Sequence, residues 1–316
     1  MISKNKIFNI QNKSIFIAGH KGMVGSATLN ELKKKSDKLY YENSKRLDLK
    51  NENKVLKWFK DNKPQIVIIA AAKVGGIYAN STYPVDFLEN NLRIQNNIIR
   101  ASYITGVEKL VFLGSSCIYP KYSKQPIKEE YLLSGLLEPT NEAYAIAKIA
   151  GIKLCESYSK QFNCNFISLL PTNLYGPNDN FDPEFSHVPA ALLRRFHEAK
   201  INNQKSVLVW GTGKPRREFL HVSDLAKAIV YMLEHYSSSN PINIGTGKDI
   251  SIKEFAEIIA DVVGYNGKIT YDESKPDGTP LKKLDISKAL SYGWKPEISL
   301  KSGIKSTYMW GLKNIF

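Results

Sequence analysis

The chain has 316 residues, 43% hydrophobic and 23% charged, and its 44 basic and 30 acidic residues give a net charge of +14. This length and composition exclude a disordered chain, a collagen-like fibre and a small disulfide-stapled scaffold. The cysteines, Cys117, Cys155 and Cys164, are odd in number and lack CxxC spacing, which indicates neither a zinc site nor a disulfide framework.

The positive charge does not by itself identify a partner. Basic residues are scattered, without a block of about five or six like charges, so no nucleic-acid partner is expected. A lysine-biased solvated surface and an anionic small-molecule substrate remain as interpretations. The first twelve residues are polar and mixed, without the apolar core and small-residue cleavage site of a secretory signal. No apolar run approaches the roughly 20 residues that cross a bilayer. We therefore expect a cytoplasmic protein with no membrane partner.

The first half of the chain alternates short apolar runs with longer amphipathic ones. Strands are predicted over residues 14–18, 38–42, 65–70, 109–113 and 166–171, and helices over 23–35, 52–62, 86–105 and 142–162. Strands separated by helices in this way indicate right-handed βαβ units and a parallel sheet covered on both faces. The expected fold class is α/β, with a Rossmann-type doubly wound parallel sheet.

After about residue 176 this alternation weakens. The segments 178–189 and 272–285 are rich in Asn, Asp, Pro or Gly and are predicted as loops. Helices are predicted over 190–198, 221–235 and 251–263, the last with a capping box of Ser251 and Glu254, and strands over 207–210 and 241–244. We expect a cofactor-binding domain over residues 1–176, completed by about 217–245, and a smaller α+β substrate domain over 177–316.

A glycine-rich loop, GHKGMVG, follows the first predicted strand and begins the first predicted helix. Its GxxGxxG spacing is a variant of the dinucleotide-binding fingerprint. Gly19 permits the tight turn, Gly22 the close approach of a pyrophosphate, and Gly25 the close packing of helix on strand. The helix N-terminus would then face the phosphates. The predicted cofactor contacts in this loop are Gly19, His20, Lys21, Gly22, Met23, Val24 and Gly25.

Charged residues after the second predicted strand bear on the choice of cofactor. NAD enzymes of this kind often place a carboxylate there for the ribose 2′-hydroxyl, and Glu42 is available. Lys45 and Arg46 follow it, and Lys21 lies in the glycine loop, so the group is cationic and suits a 2′-phosphate. The pattern favours NADP(H) over NAD, with a solvated turn as the alternative interpretation of Lys45 and Arg46.

Tyr144 and Lys148 lie four residues apart in a predicted helix and therefore share a face. An ammonium beside a phenol favours the phenolate, so we expect Lys148 to lower the pKa of Tyr144 below its usual value of about 10. The preceding strand ends in LGSS, where an α/β sheet places its ligand crevice. Ser115 or Ser116 there could hydrogen-bond a substrate carbonyl.

The glycine loop, the serines and the YxxxK pair together resemble the extended short-chain dehydrogenase/reductase superfamily, which acts on nucleotide sugars. Further segments are similar to the GDP-L-fucose synthase family: AAAKVGGIYAN, FLGSSCIYPK, EPTNEAYAIAKIAG, LLPTNLYGPNDNF, SHVPAALLRRF, WGTGKPRREFLHV and SKPDGTP. The resemblance implies a bifunctional enzyme that epimerises C3 and C5 of GDP-4-keto-6-deoxy-D-mannose and reduces C4 with NADPH to give GDP-L-fucose. It also implies a homodimer through the predicted helices 86–105 and 142–162.

The resemblance assigns roles to particular residues. Cys117 becomes the base and His187 the acid of the epimerisation, and a thiol beside cations is physically suited to ionise. The implied catalytic set is Ser115, Cys117, Tyr144, Lys148 and His187. The implied cofactor contacts beyond the glycine loop are Lys45, Arg46, Leu113, Gly114, Ser115, Ser116, Tyr144, Lys148, Pro171, Thr172, Asn173, Leu174 and His187. The implied substrate contacts are Arg195, Trp210, Arg217, Asp277 and Lys282.

Two departures from the family pattern and two alternative functions stay open. Lys21 stands where the family usually carries arginine, and Ser44 stands where a second arginine is usual. A nucleotide-sugar 4-epimerase or 4,6-dehydratase would keep the tyrosine–lysine spacing without needing the cysteine and histidine. A non-catalytic cofactor sensor would typically lose Tyr144 or Lys148, and both are present.

Overall fold

The computed structural model describes residues 5–182, 185–275 and 277–316. Its strands are, in chain order, β1 Ile15–Ala18, β2 Leu39–Tyr40, β3 Ile66–Ile69, β4 Lys109–Leu113, β5 Phe166–Pro171, β6 Asn173–Tyr175, β7 Ser206–Trp210, β8 Arg216–His221, β9 Ile242–Ile244, β10 Asp249–Ser251, β11 Lys268–Asp272 and β12 Leu281–Lys282. Its helices are α1 Met23–Leu32, α2 Glu52–Asn62, α3 Ile77–Thr82, α4 Pro84–Ile104, α5 Glu142–Phe162, α6 Val188–Ile201, α7 Val222–His235, α8 Ile252–Val263, α9 Ser287–Ser291 and α10 Leu300–Asn314.

Within the described residues, the largest sheet has six parallel strands in the order β2-β1-β3-β4-β5-β9. The strands β1, β3, β4 and β5 are almost wholly apolar and are buried along their whole length. Strands β2 and β3 pair with opposite edges of β1, so the order in which strands are added to the sheet reverses at β1. This switch point opens a crevice at the carboxyl ends of β1 and β3, where ligands bind in sheets of this kind.

Two apolar cores cover the two faces of this sheet. On one face, α1 and α7 contribute side chains such as Leu32 and Ile229. On the other, α2, α4 and α5 contribute Val55, Ile98 and Ile152. Helices on both faces of a parallel sheet confirm the predicted α/β fold of the Rossmann-type, doubly wound class.

A further group of elements follows β5. Strand β8 pairs with β6, β10 and β12, and β7 pairs with β11. A third apolar core lies among α6, α8 and α10 and includes Phe196, Phe255 and Ile304. Strand β9 instead returns to the edge of the six-stranded sheet beside β5. The chain therefore leaves the main sheet, builds a smaller group of strands and helices, and rejoins the sheet once.

Most predicted elements are confirmed, with ends that differ by a few residues. The bounds of α2, β4, α5 and β5 are as predicted. Helix α1 ends at Leu32, three residues earlier than predicted. The predicted capping box of Ser251 and Glu254 is present. The predictions omitted the strands β6, β8, β10 and β11 and the helices α3, α9 and α10. They also assigned to a loop the segment that contains β12. Residues 183–184 and 276 of the two predicted loops lie outside the described residues. None of the helices described combines the length and apolarity that a bilayer crossing needs.

Candidate active site

The loop between β1 and α1 fits a dinucleotide. Gly19 has a φ of +88°, and a Cβ there would lie 2.6 Å from the backbone nitrogen of Ala71. A Cβ on Gly25 would lie 2.1 Å from the Gly19 carbonyl oxygen, so only glycine lets α1 pack this near to β1. The first turn of α1 carries neither a side-chain cap nor an acidic residue, with Gly22 as the N-cap. The helix N-terminus therefore offers backbone N–H groups to a pyrophosphate.

A short turn after β2 presents the two basic residues predicted to select the cofactor. The Asn43 side-chain oxygen accepts hydrogen bonds from the backbone N–H groups of Lys45 and Arg46, each at 3.1 Å. Leu47 is buried and anchors the end of the turn. Both basic side chains are exposed. The turn is thus set by backbone contacts, which leaves both cationic heads available to a phosphate.

The glycine loop lies against the end of β2. The rings of His20 and Tyr41 are 4.9 Å apart, and Lys21 is exposed beside them. Burial and the charge of Lys21 lower the pKa of His20, although the charge of Glu42 opposes them. His20 is therefore neutral near neutral pH, and the positive charge on this side of the crevice comes from Lys21 and the following turn. That charge fits the 2′-phosphate of NADP.

Two contacts hold α5, the helix with the predicted tyrosine and lysine, close to β4. A Cβ on Gly151 would lie 2.4 Å from the ring of Phe112, so glycine permits the close approach of helix and sheet. The Gln95 amide of α4 donates a hydrogen bond to the Ala147 carbonyl oxygen at 2.7 Å. The helix is therefore fixed from both sides at the turn that carries the lysine.

The environment of Tyr144 corrects the expected direction of its pKa. The Nζ atom of Lys148 donates to the Leu113 carbonyl oxygen at 2.8 Å and lies 5.8 Å from the centre of the Tyr144 ring. Burial raises the pKa of Tyr144 above its usual range, the charge of Cys117 raises it further, and a hydrogen bond with Ser115 opposes both. The prediction that Lys148 lowers the pKa of Tyr144 was therefore wrong, and Tyr144 stays protonated. Burial also lowers the pKa of Lys148 to about 8.

Ser115 links the two reactive groups at the end of β4. It is the N-cap of the short 3₁₀ turn Ser116–Ile118, and its Oγ accepts a hydrogen bond from the Cys117 backbone N–H at 3.1 Å. The same side chain lies near enough to Tyr144 to oppose the rise in the pKa of the phenol. Ser116 is buried, so of the two candidate serines Ser115 faces the tyrosine and the thiol.

The thiol of Cys117 meets a lysine that lies 165 residues further along the chain. The Nζ atom of Lys282 is 3.3 Å from the Cys117 Sγ atom. Burial by itself raises the pKa of Cys117, but the charge of Lys282, hydrogen bonds with Ser115 and Lys282, and the charge of Arg217 together lower it. Cys117 and Lys282 also line a cavity of about 20 Å³. The site therefore holds a thiol that ionises more readily than a free cysteine.

His187 is the N-cap residue of α6, but its side chain makes no capping hydrogen bond to that helix. Its loop lies against the segment after β3, where a Cβ on Gly76 would be 2.8 Å from the Ser186 carbonyl oxygen. Burial lowers the pKa of His187, and the charge of Lys282 lowers it further. Lys282 thus acts on both the predicted base and the predicted acid, which lie within electrostatic reach of the same lysine.

Two predicted substrate contacts, Arg195 and Trp210, lie together. The guanidinium carbon of Arg195 is 5.6 Å from the Trp210 ring centre, and its Nη1 atom donates to the Leu208 carbonyl oxygen at 2.7 Å. Trp210 is 56% exposed. Sequence reasoning missed Lys275, whose Nζ atom lies 5.5 Å from the same ring. An accessible indole flanked by cations suits an aromatic, anionic ligand.

Arg217 and Asp277 lie together as well, but mostly through protein contacts. The Arg217 Nη2 atom donates to the Asp277 carbonyl oxygen at 3.1 Å. The Asp277 carboxylate accepts hydrogen bonds from the backbone N–H and the hydroxyl of Thr212, each at 2.8 Å. Both carboxylate oxygens of Asp277 are therefore already bonded to Thr212, in the turn after β7. The substrate contact of Asp277 stays a prediction.

The other predicted cofactor contacts lie where β4 and β5 end and β6 begins. They are Leu113, Gly114, Pro171, Thr172, Asn173 and Leu174. The Asn173 amide donates to the Glu218 carbonyl oxygen at 2.8 Å, and Leu174 packs against the main core. These positions follow the carboxyl ends of central strands, beside the crevice, and their contact with a cofactor stays a prediction.

Sequence reasoning also missed Glu218, a fully buried acid in β8. Its carboxylate accepts hydrogen bonds from the backbone N–H groups of Thr246, Gly247 and Leu284, the last at 2.7 Å. It thereby ties β8 to the chain that follows β9 and β12. A signal was available, because an acid inside the run REFL must find buried hydrogen-bond partners if that run is a strand.

Comparisons with known proteins identify the family. The family model described as NAD dependent epimerase/dehydratase matches residues 15–245. GDP-L-fucose synthase 1 of Arabidopsis thaliana is 54% identical and covers 98% of this chain and 97% of its own. GDP-L-fucose synthase of Escherichia coli K12 is 52% identical and covers 96% and 98%. The chain belongs to the GDP-L-fucose synthase family.

The likeness extends to the three-dimensional structure. A GDP-L-fucose synthetase from Naegleria fowleri, solved with NADP bound, superposes with a TM-score of 0.90 at 32% identity and covers 99% of this chain and 98% of that one. The shared fold therefore includes the elements after β5 as well as the main sheet. Membership of the GDP-L-fucose synthase family thus rests on both parts of the chain.

Proposed function

We propose that the chain epimerises C3 and C5 of GDP-4-keto-6-deoxy-D-mannose and reduces its C4 ketone with NADPH to give GDP-L-fucose. The observation that carries this function is the contact between Cys117 and Lys282 at 3.3 Å, beside Ser115, whose Oγ accepts from the Cys117 backbone N–H. A dehydratase or a 4-epimerase needs the tyrosine but not an ionised thiol. The names of the relatives and the NADP bound to the Naegleria enzyme support the same reaction and cofactor.

The epimerisation uses a base and an acid on opposite faces of the sugar. The C4 ketone acidifies the protons on C3 and C5, and the Cys117 thiolate accepts one of them. The hydroxyls of Ser115 and Tyr144 donate hydrogen bonds to the enolate oxygen. His187 then donates a proton to the other face, and thiol and imidazole exchange protons with solvent before the second carbon is inverted.

The reduction uses Tyr144 as a proton donor. When bound, NADPH supplies the hydride for C4. Tyr144 donates its proton to O4 as the ketone becomes an alcohol, a role that suits a phenol held protonated by burial. Lys148, whose pKa is lowered to about 8, exchanges a proton near neutral pH and restores the proton of Tyr144.

We expect the purified protein to oxidise NADPH and release GDP-L-fucose when it is given GDP-4-keto-6-deoxy-D-mannose. The corresponding UDP-linked ketosugar is the matched control and should turn over far more slowly. NADPH absorbance follows the reduction, and chromatography identifies the product. Absence of NADPH consumption with fresh substrate, or equal turnover of the UDP-linked sugar, would contradict the proposed function.

We expect the double substitution Lys45→Ala and Arg46→Ala to impair the use of NADPH but not of NADH. The Asn43 turn is held by backbone N–H groups, so the substitutions remove charge and leave the turn intact. Loss of charged hydrogen bonds to the 2′-phosphate lowers kcat/KM for NADPH by about tenfold or more per contact. Lys50→Ala, at an exposed lysine nearby, is the control. Equal losses with both cofactors would show that these residues do not select the 2′-phosphate.

We also infer the division of the chain. Residues 1–176, completed by about 217–245, form the NADP-binding Rossmann domain, and residues 177–316 form the substrate domain. The separate apolar core among α6, α8 and α10 supports the second unit. The return of β9 to the edge of the main sheet supports the assignment of residues 217–245 to the first.

Two further proposals concern the state of the protein in the cell. Exposed apolar side chains on α4 and α5, which are Tyr103, Ile104, Ile146 and Phe162, support a homodimer through these helices. A base that works as a free thiolate needs a reducing compartment, and the three cysteines are unpaired, which supports a cytoplasmic location.

A further inference from the structure

Lys282 has an unusual polar partner for a lysine. Its Nζ atom lies 3.3 Å from the Sγ atom of Cys117, and in the part of the chain that is described no carboxylate is within ion-pair distance of it. Its neighbour Lys283, by contrast, is paired with Asp249 at 3.1 Å. The ammonium of Lys282 is therefore directed at the thiol and is not neutralised by an acid.

Contacts on both sides fix the backbone around this lysine. The Gln125 amide donates to the Leu281 carbonyl oxygen and accepts from the Lys283 backbone N–H, each at 3.0 Å. The Glu218 carboxylate accepts from the Leu284 backbone N–H at 2.7 Å. Because backbone atoms before and after Lys282 are held by buried or half-buried side chains, its approach to the thiol is built into the fold.

Other charged groups face the thiol from the elements packed around it. Arg217 on β8 adds a second positive charge. Tyr144 on α5 is held neutral by burial, and the pKa of His187 at the start of α6 is lowered. Glu138 lines the same cavity, but it is paired with Lys121 at 2.9 Å. The net charge that acts on the thiol is thus positive, and its nearest source is the lysine.

We propose that Lys282 is the counter-ion of Cys117 and holds it as a thiolate before any substrate arrives. Burial alone would leave the sulfur as a neutral thiol, which is a poor base. Lys282 therefore acts through Cys117 in addition to any contact with the substrate. The role of the thiolate as a base rests on the proposed function. The ion pair itself joins two side chains of the protein and can be measured without substrate.

The pH dependence of alkylation of Cys117 by iodoacetamide tests this role. Mass spectrometry of the Cys117 peptide gives the rate at each pH for the protein without ligands. We expect a midpoint below the free-thiol value of about 8.5 in the wild type. Lys282→Gln should raise the midpoint by about one pH unit or more, an approximately tenfold loss of thiolate at lower pH. Lys282→Arg keeps the charge and should retain most of the wild-type shift.

Lys283→Gln is the matched control, because it removes the same charge one residue away, where the lysine is paired with Asp249. Its midpoint should equal that of the wild type. A wild-type midpoint at or above the free-thiol value overturns the proposal whatever the variants do. Equal midpoints for wild type and Lys282→Gln, or an equal shift in Lys283→Gln, also overturn it. A protein without activity on the GDP-sugar would still give this profile, so the two failures are distinguishable.

Discussion

Replacing Cys117 with alanine will abolish the exchange of solvent protons at C3 and C5 of the ketosugar. Alanine has no atom that accepts a proton, and loss of a general base costs about 10²–10⁴-fold in rate. Tyr144 and Lys148 remain, so reduction of the unepimerised ketone should continue at a lower rate. Deuterium uptake from heavy water in the absence of NADPH, followed by mass spectrometry, measures the exchange alone.

Cys164→Ala is the control for this substitution. Cys164 is half-buried near the start of β5, and burial raises the pKa of its thiol, so it has neither the place nor the charge of a base. The control should exchange both protons at the wild-type rate. If Cys117→Ala did the same, the base would be another group, and the ion pair with Lys282 would have no part in the epimerisation.

The central sheet could be predicted because its strands are buried on both faces. Runs such as IVII and LVFL are continuous and apolar, and at four residues they suit a strand covered on both faces better than a helix. Strands β8 and β12 lack this signal. Strand β8 carries RRE at its start and β12 is two residues long, so each is specified by its strand pairing and not by an apolar run.

The helix α10 was missed for a related reason. Its buried positions include Gly303, Thr307 and Gly311, small or polar residues that mask the apolar period of a helix. Glycine there meets a tightly packed neighbour, since a Cβ on Gly303 would lie 2.2 Å from the Tyr175 hydroxyl oxygen. Such a helix is specified by what packs against it, which a single sequence does not display.

The site was predictable in its residue types and less so in its electrostatics. The spacing of Tyr144 and Lys148 correctly placed both on one helix at the crevice. The direction of the tyrosine pKa was wrong because burial, which depends on the whole fold, outweighs a lysine whose Nζ is bonded to a carbonyl oxygen. The contact of Lys282 with Cys117 joins residues 165 positions apart, and no local pattern predicts it.

Tyr144→Phe will mainly impair reduction. The phenyl ring keeps the edge contact with Phe87, with ring centres 6.5 Å apart, but the group that protonates O4 is lost. We expect reduction in a single turnover to fall about 10²–10⁴-fold. Exchange at C3 and C5 should fall less, because Ser115 still donates to the enolate oxygen. Tyr158→Phe, on the same helix but packed against Tyr103, should leave both steps unchanged.

The pH profile separates a proton-donating tyrosine from one that only packs. Burial raises the pKa of Tyr144 and lowers that of Lys148 to about 8, so the lysine loses its proton first as the pH rises. Above about pH 8, neutral Lys148 can no longer restore the proton that Tyr144 gives to O4, and wild-type reduction should decline there. In Tyr144→Phe no proton is relayed, so this alkaline decline should disappear. A decline centred on the ordinary tyrosine value of about 10, or one that persists in the variant, would exclude the relay from Lys148 to Tyr144.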